Sequence, residues 1–107
     1  MQMPVASDIA VTYDWDGFVF PLDVVSEEEA RAIRADLEAA EGELASDPER
    51  LALLRSYPDR LLPSLDKLTR NPKMIAAASQ VLGPEMMVWS AGLFIKEANT
   101  SHIVSWH

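Results

Sequence analysis

Residues 86–107 read MMVWSAGLFIKEANTSHIVSWH, and this stretch decides the expected fold. Its apolar runs at 86–89 and 93–95 are β-rich and are separated by three small residues, a pattern typical of short strands. A turn is predicted at 98–101, leading into a last strand. An isolated hairpin is marginal in water, and an apolar edge invites aggregation unless further strands cover it. The stretch therefore predicts the first strands of a larger sheet.

Upstream of these strands, the chain predicts an amphipathic helix that begins after Ser26. Ser26 and Glu29 match a capping box, in which each side chain accepts a backbone N–H of the other residue. Gly42 can supply a left-handed stop at the end of this helix. The apolar stripe of the helix consists of residues at steps of three and four: Ala30, Ile33, Leu37, Ala40 and Leu44.

Shorter helices are predicted between this helix and the strands. One opens at 46–48 and ends at Pro58, the next begins near Pro63, and the last begins at 71–72 and stops at 83–84. Proline is tolerated in a first helical turn because the N–H that it lacks has no partner there in any case. Three or four helices are therefore expected to precede the strands.

The resulting expectation is a single domain of the α+β class over residues 1–107. Its helical layer would cover about 1–84 and its first core strands about 85–107. A chain of 107 residues, 49% hydrophobic and 24% charged, supports one core at most, and no repeat or linker divides it. Because these strands do not complete a sheet, we expect the chain to be the N-terminal part of a longer domain.

Acidic residues outnumber basic ones, seventeen to nine, which gives a formal net charge of -8 and opposes binding to nucleic acid or to an anionic membrane. Ten of the seventeen carboxylates lie between Asp23 and Glu49. We interpret this segment as a solvated outer face, with a docking surface as the alternative. The absence of cysteine excludes disulfides and thiolate metal sites. A cytoplasmic protein is expected, since no secretory signal or membrane-spanning run is visible.

The residues at 104–107, Val-Ser-Trp-His, are interpreted as a metal-binding motif interrupted after its first ligand. Non-haem iron oxygenases hold Fe(II) with two histidines and one carboxylate. The usual local signature is His-x-Asp or His-x-Glu, and the carboxylate would fall just beyond His107. His102 lies five residues earlier and would face the opposite way in a strand, so we predict that it is a polar turn residue.

The alternation of side chains along a strand also predicts which residues of the segment 92–97 share a face. Gly92, Phe94 and Lys96 are expected to share one face, and the residues between and after them the other. A lysine on the same face as a phenylalanine would ordinarily point to solvent or extend past the ring. Alternation alone therefore does not make Lys96 a ligand contact.

Six short motifs follow one another along nearly the whole chain. They are YDWDGFV at 13–19, DVVSEEE at 23–29, LGP at 82–84, WS at 89–90, FIKE at 94–97 and VSWH at 104–107. Each motif is weak by itself, but their ordered combination is specific. It resembles the phytanoyl-CoA dioxygenase-like branch of the Fe(II)/2-oxoglutarate-dependent oxygenases.

The resemblance implies a double-stranded β-helix, or jelly roll, with helices packed on one side. It implies that His107 is the first ligand of Fe(II) and that Lys96 contacts the cosubstrate 2-oxoglutarate. An ammonium group beside a dicarboxylate is chemically sensible because it neutralises charge in a partly dry pocket. The resemblance also places Gly92 and Phe94 near the cosubstrate or substrate, and Trp106 beside the iron ligand.

The activity implied by the resemblance is the hydroxylation of an aliphatic C–H bond in a small molecule or acyl derivative, with dioxygen and 2-oxoglutarate as cosubstrates. The chain lacks the carboxylate after His107, the distal histidine and the arginine that grips 2-oxoglutarate, so we expect it to be inactive as given. Three alternatives stay open. They are a halogenase of the same family, a pseudoenzyme, and a non-catalytic helical interaction module whose acidic face docks a basic partner.

Overall fold

The structure is a computed structural model that describes residues 6–105, and its regular elements are all helices. Within this range the helices are α1 (Ala6–Asp16), α2 (Glu27–Glu43), α3 (Pro48–Ser56), α4 (Pro58–Leu61), α5 (Pro63–Thr69) and α6 (Pro72–Leu82). The chain from 83 to 105 follows as turns and irregular backbone. No helix in the described range is long and apolar enough to cross a membrane.

The start of α2 has the predicted capping box. The Ser26 hydroxyl accepts the Glu29 N–H at 3.0 Å, and the Glu29 carboxylate accepts the Ser26 N–H at 3.5 Å. The acidic residues of the first turn stabilise this helix start further, because negative charge is favourable at the positive end of a helix dipole. The predicted start of α2 is therefore confirmed.

The end of α2 differs from the prediction. The helix continues through Gly42 to Glu43, and the cap residue Leu44 has a φ of -99° instead of a left-handed conformation. The chain then leaves the helix through a tight turn in which the Asp47 N–H donates to the Leu44 carbonyl at 2.9 Å. Because this turn satisfies the backbone, a left-handed stop at Gly42 is not required, and that prediction is wrong.

Each of the helices α3 to α6 carries a proline in its first turn. The Asp47 carboxylate accepts the Arg50 N–H at 3.2 Å before α3, and the Asn71 side chain accepts the N–H groups of Lys73 and Met74 before α6. Gly83 ends α6 with a φ of 85°. These predicted boundaries are confirmed. Neither α1 nor the single turn α4 is predicted by the sequence patterns.

The helices pack in neighbouring pairs around a small core. Helix α1 lies against α6, α5 contacts both α2 and α4, and α3 contacts α4. Among the described hydrophobic residues, the buried ones are Ile9 on α1 and Leu54 on α3. The accessible surface is 8939 Å², whereas a compact monomer of 11.9 kDa exposes about 6,000 Å². Much apolar surface therefore remains uncovered, on the helices and on the chain that follows α6.

The α+β expectation is wrong for the part of the chain that the structure describes. Residues 86–105 contain no strand, so the first strands of a double-stranded β-helix are not found there. Strand propensity acts largely through cross-strand neighbours, and this segment has no paired strand within 6–105. Its backbone is instead hydrogen-bonded to α3, where the Leu93 N–H donates to the Arg55 carbonyl at 2.8 Å. The predicted turn at 98–101 is present, with Asn99 at a φ of 57°.

The capping box gives a testable stability prediction. We expect Ser26→Ala in the full-length protein to lower the free energy of unfolding by about 1 kcal/mol, because the Glu29 N–H loses its acceptor. Ser26→Asp keeps an acceptor at the cap and serves as the control. Urea denaturation of the three proteins measures the difference. Equal stability of the alanine variant and the wild type would show that this cap contributes nothing.

Candidate functional site

The candidate site lies on residues 92–97, which run alongside α3 after the chain has left α6. Lys96 is exposed, and its Nζ donates to the Glu97 carbonyl at 2.8 Å and to the Thr100 hydroxyl at 3.1 Å. An ammonium group has three N–H donors, so one remains for an external acceptor. No ion pair engages Lys96 within residues 6–105. Lys96 can therefore receive a carboxylate from solvent.

Gly92 and Phe94, which were predicted to lie near the cosubstrate or substrate, are also exposed. Phe94 is 80% exposed, whereas its neighbour Ile95 is 41% exposed and Leu93 is half-buried. Exposure differs between neighbours over residues 92–95, but Lys96 and Glu97 are both exposed, so the alternation expected of a strand does not continue through 97. A Cβ atom added to Gly92 would meet the Arg55 carbonyl at 3.9 Å, an ordinary contact. The packing of the described chain therefore does not demand glycine at this position.

A cluster of charged side chains attaches this segment to the helices, and sequence reasoning missed it. We call Glu41, Arg55 and Glu97 the Arg55 cluster. Arg55 Nη2 lies 2.8 Å from Glu41 Oε2 and 2.9 Å from Glu97 Oε1. Arg55 Nε also donates to Glu41 Oε2 at 3.3 Å. No local signal marks these residues, because the partners of Arg55 are 14 and 42 positions away in sequence.

The electrostatics of the cluster favour the charged guanidinium. The hydrogen bond to Glu41 is the main reason why the pKa of Arg55 is raised above its ordinary value. The hydrogen bond to Glu97 and the charges of both carboxylates act in the same direction, and burial opposes them. Arg55 therefore stays charged and paired at every physiological pH.

The predicted iron site falls at the edge of what the structure describes. His107, the predicted ligand, and Trp106, its predicted neighbour, lie outside the described residues. His102 is exposed, next to the turn at 98–101. Within 6–105 no three His, Cys, Asp or Glu side chains are placed to hold a metal ion together. The Fe(II) assignment accordingly stays a prediction about His107.

The acidic face on α2 is partly neutralised by ion pairs. Arg31 pairs with Glu27 and Arg34 pairs with Glu38, each one turn apart on the same helix. Both pairs are exposed to solvent, and Glu41 is engaged by Arg55. These pairs support the interpretation of α2 as a solvated outer face.

An apolar groove of about 520 Å³ runs along the contact between α1 and α6 and is also lined by the chain at 17–24. Ile9 and Tyr13 line one wall, and Met74 and Val81 line the other. The groove is open to solvent and lies on elements other than the segment 92–97. Its lining is hydrophobic and without a charged side chain.

Comparison with known proteins gives a distant similarity. The chain is 27% identical over 112 residues to ectoine dioxygenase of Bordetella parapertussis (strain 12822 / ATCC BAA-587 / NCTC 13253) and, with the same identity, to ectoine dioxygenase of Bordetella bronchiseptica (strain ATCC BAA-588 / NCTC 13252 / RB50). Each match covers 96% of this chain and 36% of the relative. The chain therefore spans about a third of the length of the curated relatives that it matches. No protein-family model and no solved structure matches it.

Proposed function

We propose that this chain contributes to an Fe(II)- and 2-oxoglutarate-dependent dioxygenase that hydroxylates an aliphatic C–H bond of a small molecule. The observation that carries the proposal is the similarity to two ectoine dioxygenases along 96% of the chain. The ordered motifs from 13–19 to 104–107 support the same class, because they span the same length of sequence. The substrate is a small molecule, and ectoine is the first compound to test because both relatives are named for it.

The exposed ammonium group of Lys96 supports the proposed cosubstrate. 2-Oxoglutarate is a dicarboxylate, and the unused N–H donor of Lys96 fits one of its carboxylates. When bound together, Fe(II) and 2-oxoglutarate supply the oxidising chemistry. The part of the chain that the structure describes contributes binding and orientation of the cosubstrate, while the proposed iron ligand is His107.

Removal of the Lys96 charge tests the proposed cosubstrate contact. We expect Lys96→Met to weaken 2-oxoglutarate binding about 10- to 100-fold, because a hydrogen bond between charged groups contributes about 1.5–3 kcal/mol. Lys73→Met is the matched control, since Lys73 is also exposed and carries no ion pair among the described residues. Titration calorimetry and the KM for 2-oxoglutarate measure the effect. Equal affinity in both variants would remove Lys96 from the site.

The activity itself is tested on the full-length protein under anaerobic conditions. Addition of Fe(II) and 2-oxoglutarate should produce a visible charge-transfer band, and admission of dioxygen with ectoine should yield succinate and a product with one added oxygen atom. A chlorinated product would indicate the halogenase alternative, in which a small residue stands two positions after His107. A folded protein with no charge-transfer band and no succinate contradicts the proposal.

A second candidate function is a non-catalytic helical interaction module. The apolar groove between α1 and α6 favours it, since exposed apolar patches often mark binding surfaces. The acidic surface of α2 offers a complementary face for a basic partner. The anaerobic experiment separates the two functions, because an interaction module does not couple 2-oxoglutarate to succinate.

A further inference from the structure

The segment that carries Lys96 is attached to α3 through one residue at two points. The backbone carbonyl of Arg55 accepts the Leu93 N–H at 2.8 Å, and its guanidinium bonds to the Glu97 carboxylate at 2.9 Å. These two bonds lie on either side of Phe94 and Ile95. They fix both ends of residues 93–97 against the same turn of α3.

The guanidinium of Arg55 is itself oriented by α2. Its Nε and Nη2 atoms both donate to Glu41 Oε2, at 3.3 and 2.8 Å. The side chains of Arg55 and Glu41 are 29% and 24% exposed, so this pair is better shielded from solvent than the exposed pairs on α2. Because the guanidinium is planar and rigid, two bonds on one side fix the direction of the remaining N–H groups. Glu41 therefore directs Arg55 toward Glu97.

Glu97 links this attachment to Lys96. Its side chain is held by Arg55, while its carbonyl oxygen accepts bonds from Lys96 Nζ at 2.8 Å and from the Thr100 hydroxyl at 3.0 Å. Lys96 is exposed, and its Nζ bonds to the Glu97 carbonyl and the Thr100 hydroxyl. Lys96 therefore faces solvent while the Glu97 side chain is held against α3.

We propose that Arg55 is a positioning residue for 2-oxoglutarate, acting through Glu97 to fix the place and direction of the Lys96 ammonium group. The inference rests on the proposed function, in which Lys96 contacts the cosubstrate. Arg55 does not touch the cosubstrate, and Glu41 holds it in the required orientation. The same cluster would pre-organise the binding segment before the cosubstrate arrives, which lowers the ordering cost of binding.

The test compares Arg55→Met and Glu97→Ala with wild type in the full-length protein. We expect either substitution to weaken 2-oxoglutarate binding about 5- to 10-fold, since the lost bond is charge-assisted but partly exposed. The double variant should bind 2-oxoglutarate no more weakly than either single variant, because both substitutions remove the same bond between Arg55 and Glu97. The KM for 2-oxoglutarate should rise while kcat changes little. Arg34→Met, which breaks an exposed pair on α2, is the matched control.

A second measurement separates positioning from general destabilisation. Hydrogen exchange should accelerate in residues 92–100 of both variants and stay unchanged in α6, whereas a merely unfolded protein exchanges faster everywhere. Glu97→Gln keeps an acceptor for Arg55 and should recover part of the affinity. Wild-type affinity in both Arg55→Met and Glu97→Ala overturns the positioning role while leaving the proposed function intact. A wild type that does not bind 2-oxoglutarate overturns both.

Discussion

Leu54→Ala is expected to lower the free energy of unfolding by about 2–5 kcal/mol, the usual range for truncating a buried leucine. Leu54 is 3% exposed and lies where α3 faces the end of α2 and the short helix α4. Few other side chains in the described chain are buried, so few other buried contacts stabilise the region around Leu54. The loss comprises the transfer free energy of the removed methyl groups and the cavity that they leave.

Leu53 supplies a matched control for this prediction. It is the preceding residue on the same helix, has the same side chain, and is 51% exposed. We expect Leu53→Ala to cost less than about 1 kcal/mol, because most of its surface is already in water. Urea denaturation of the two variants and the wild type gives both values. Equal losses at the two positions would mean that the core is not centred on Leu54.

His107→Ala is expected to reduce 2-oxoglutarate-dependent turnover by more than about 100-fold, because even the loss of a residue that supports a metal ligand commonly costs 10- to 100-fold. If His107 is an iron ligand as proposed, the loss should appear first as a lower iron content, since a site of three protein ligands then retains two. Iron content by mass spectrometry, the charge-transfer band and succinate formation measure the effect. Calorimetry should show that binding of 2-oxoglutarate then weakens as well, because in the proposed function Fe(II) contributes to that binding.

His102→Ala is the control for the iron ligand. His102 is exposed beside the turn at 98–101 and lies five residues from His107. We expect this variant to keep both its iron and its turnover. If His102→Ala lost iron while His107→Ala retained it, the ligand assignment would have to be exchanged between them. Full activity in both variants would refute an iron site in this part of the sequence.

The helix starts could be predicted because their causes are local. The bonds that open α2, α3 and α6 each join a side chain to an N–H two or three residues later. Such signals do not depend on the rest of the fold. Helix α1 escaped prediction because its apolar and polar residues do not follow a clear helical period.

The strands between 86 and 105 were predicted wrongly because the sequence indicates only a preference for β structure. It does not indicate whether a neighbouring strand is available to pair with. β-Branched and aromatic residues favour extended backbone, but a strand also requires a neighbour whose N–H and C=O groups are free to pair. In the described chain the nearest backbone partner of Leu93 is the carbonyl of Arg55, at the end of a helix. The described part of this segment therefore forms no strand.

The candidate site was predictable only in part. Lys96, Gly92 and Phe94 were predicted from the family resemblance, and all three are exposed. Their contact with the cosubstrate or substrate stays a prediction. The Arg55 cluster had no such signal, because an arginine in a helix is an ordinary solvent-facing residue by sequence alone. Its partners are brought to it by the packing of α2 and α3 and by the path of the chain after α6.

The prolines in the first turns of α3, α4, α5 and α6 have a consequence for folding during synthesis. A proline disfavours helical backbone in the residue before it and presets the backbone angle of the turn that follows. The start of each of these helices is thus determined by two or three adjacent residues. In a nascent polypeptide these residues determine where a helix can begin before α1 meets α6 and before the segment 92–97 reaches Arg55, while helices this short persist only once they pack.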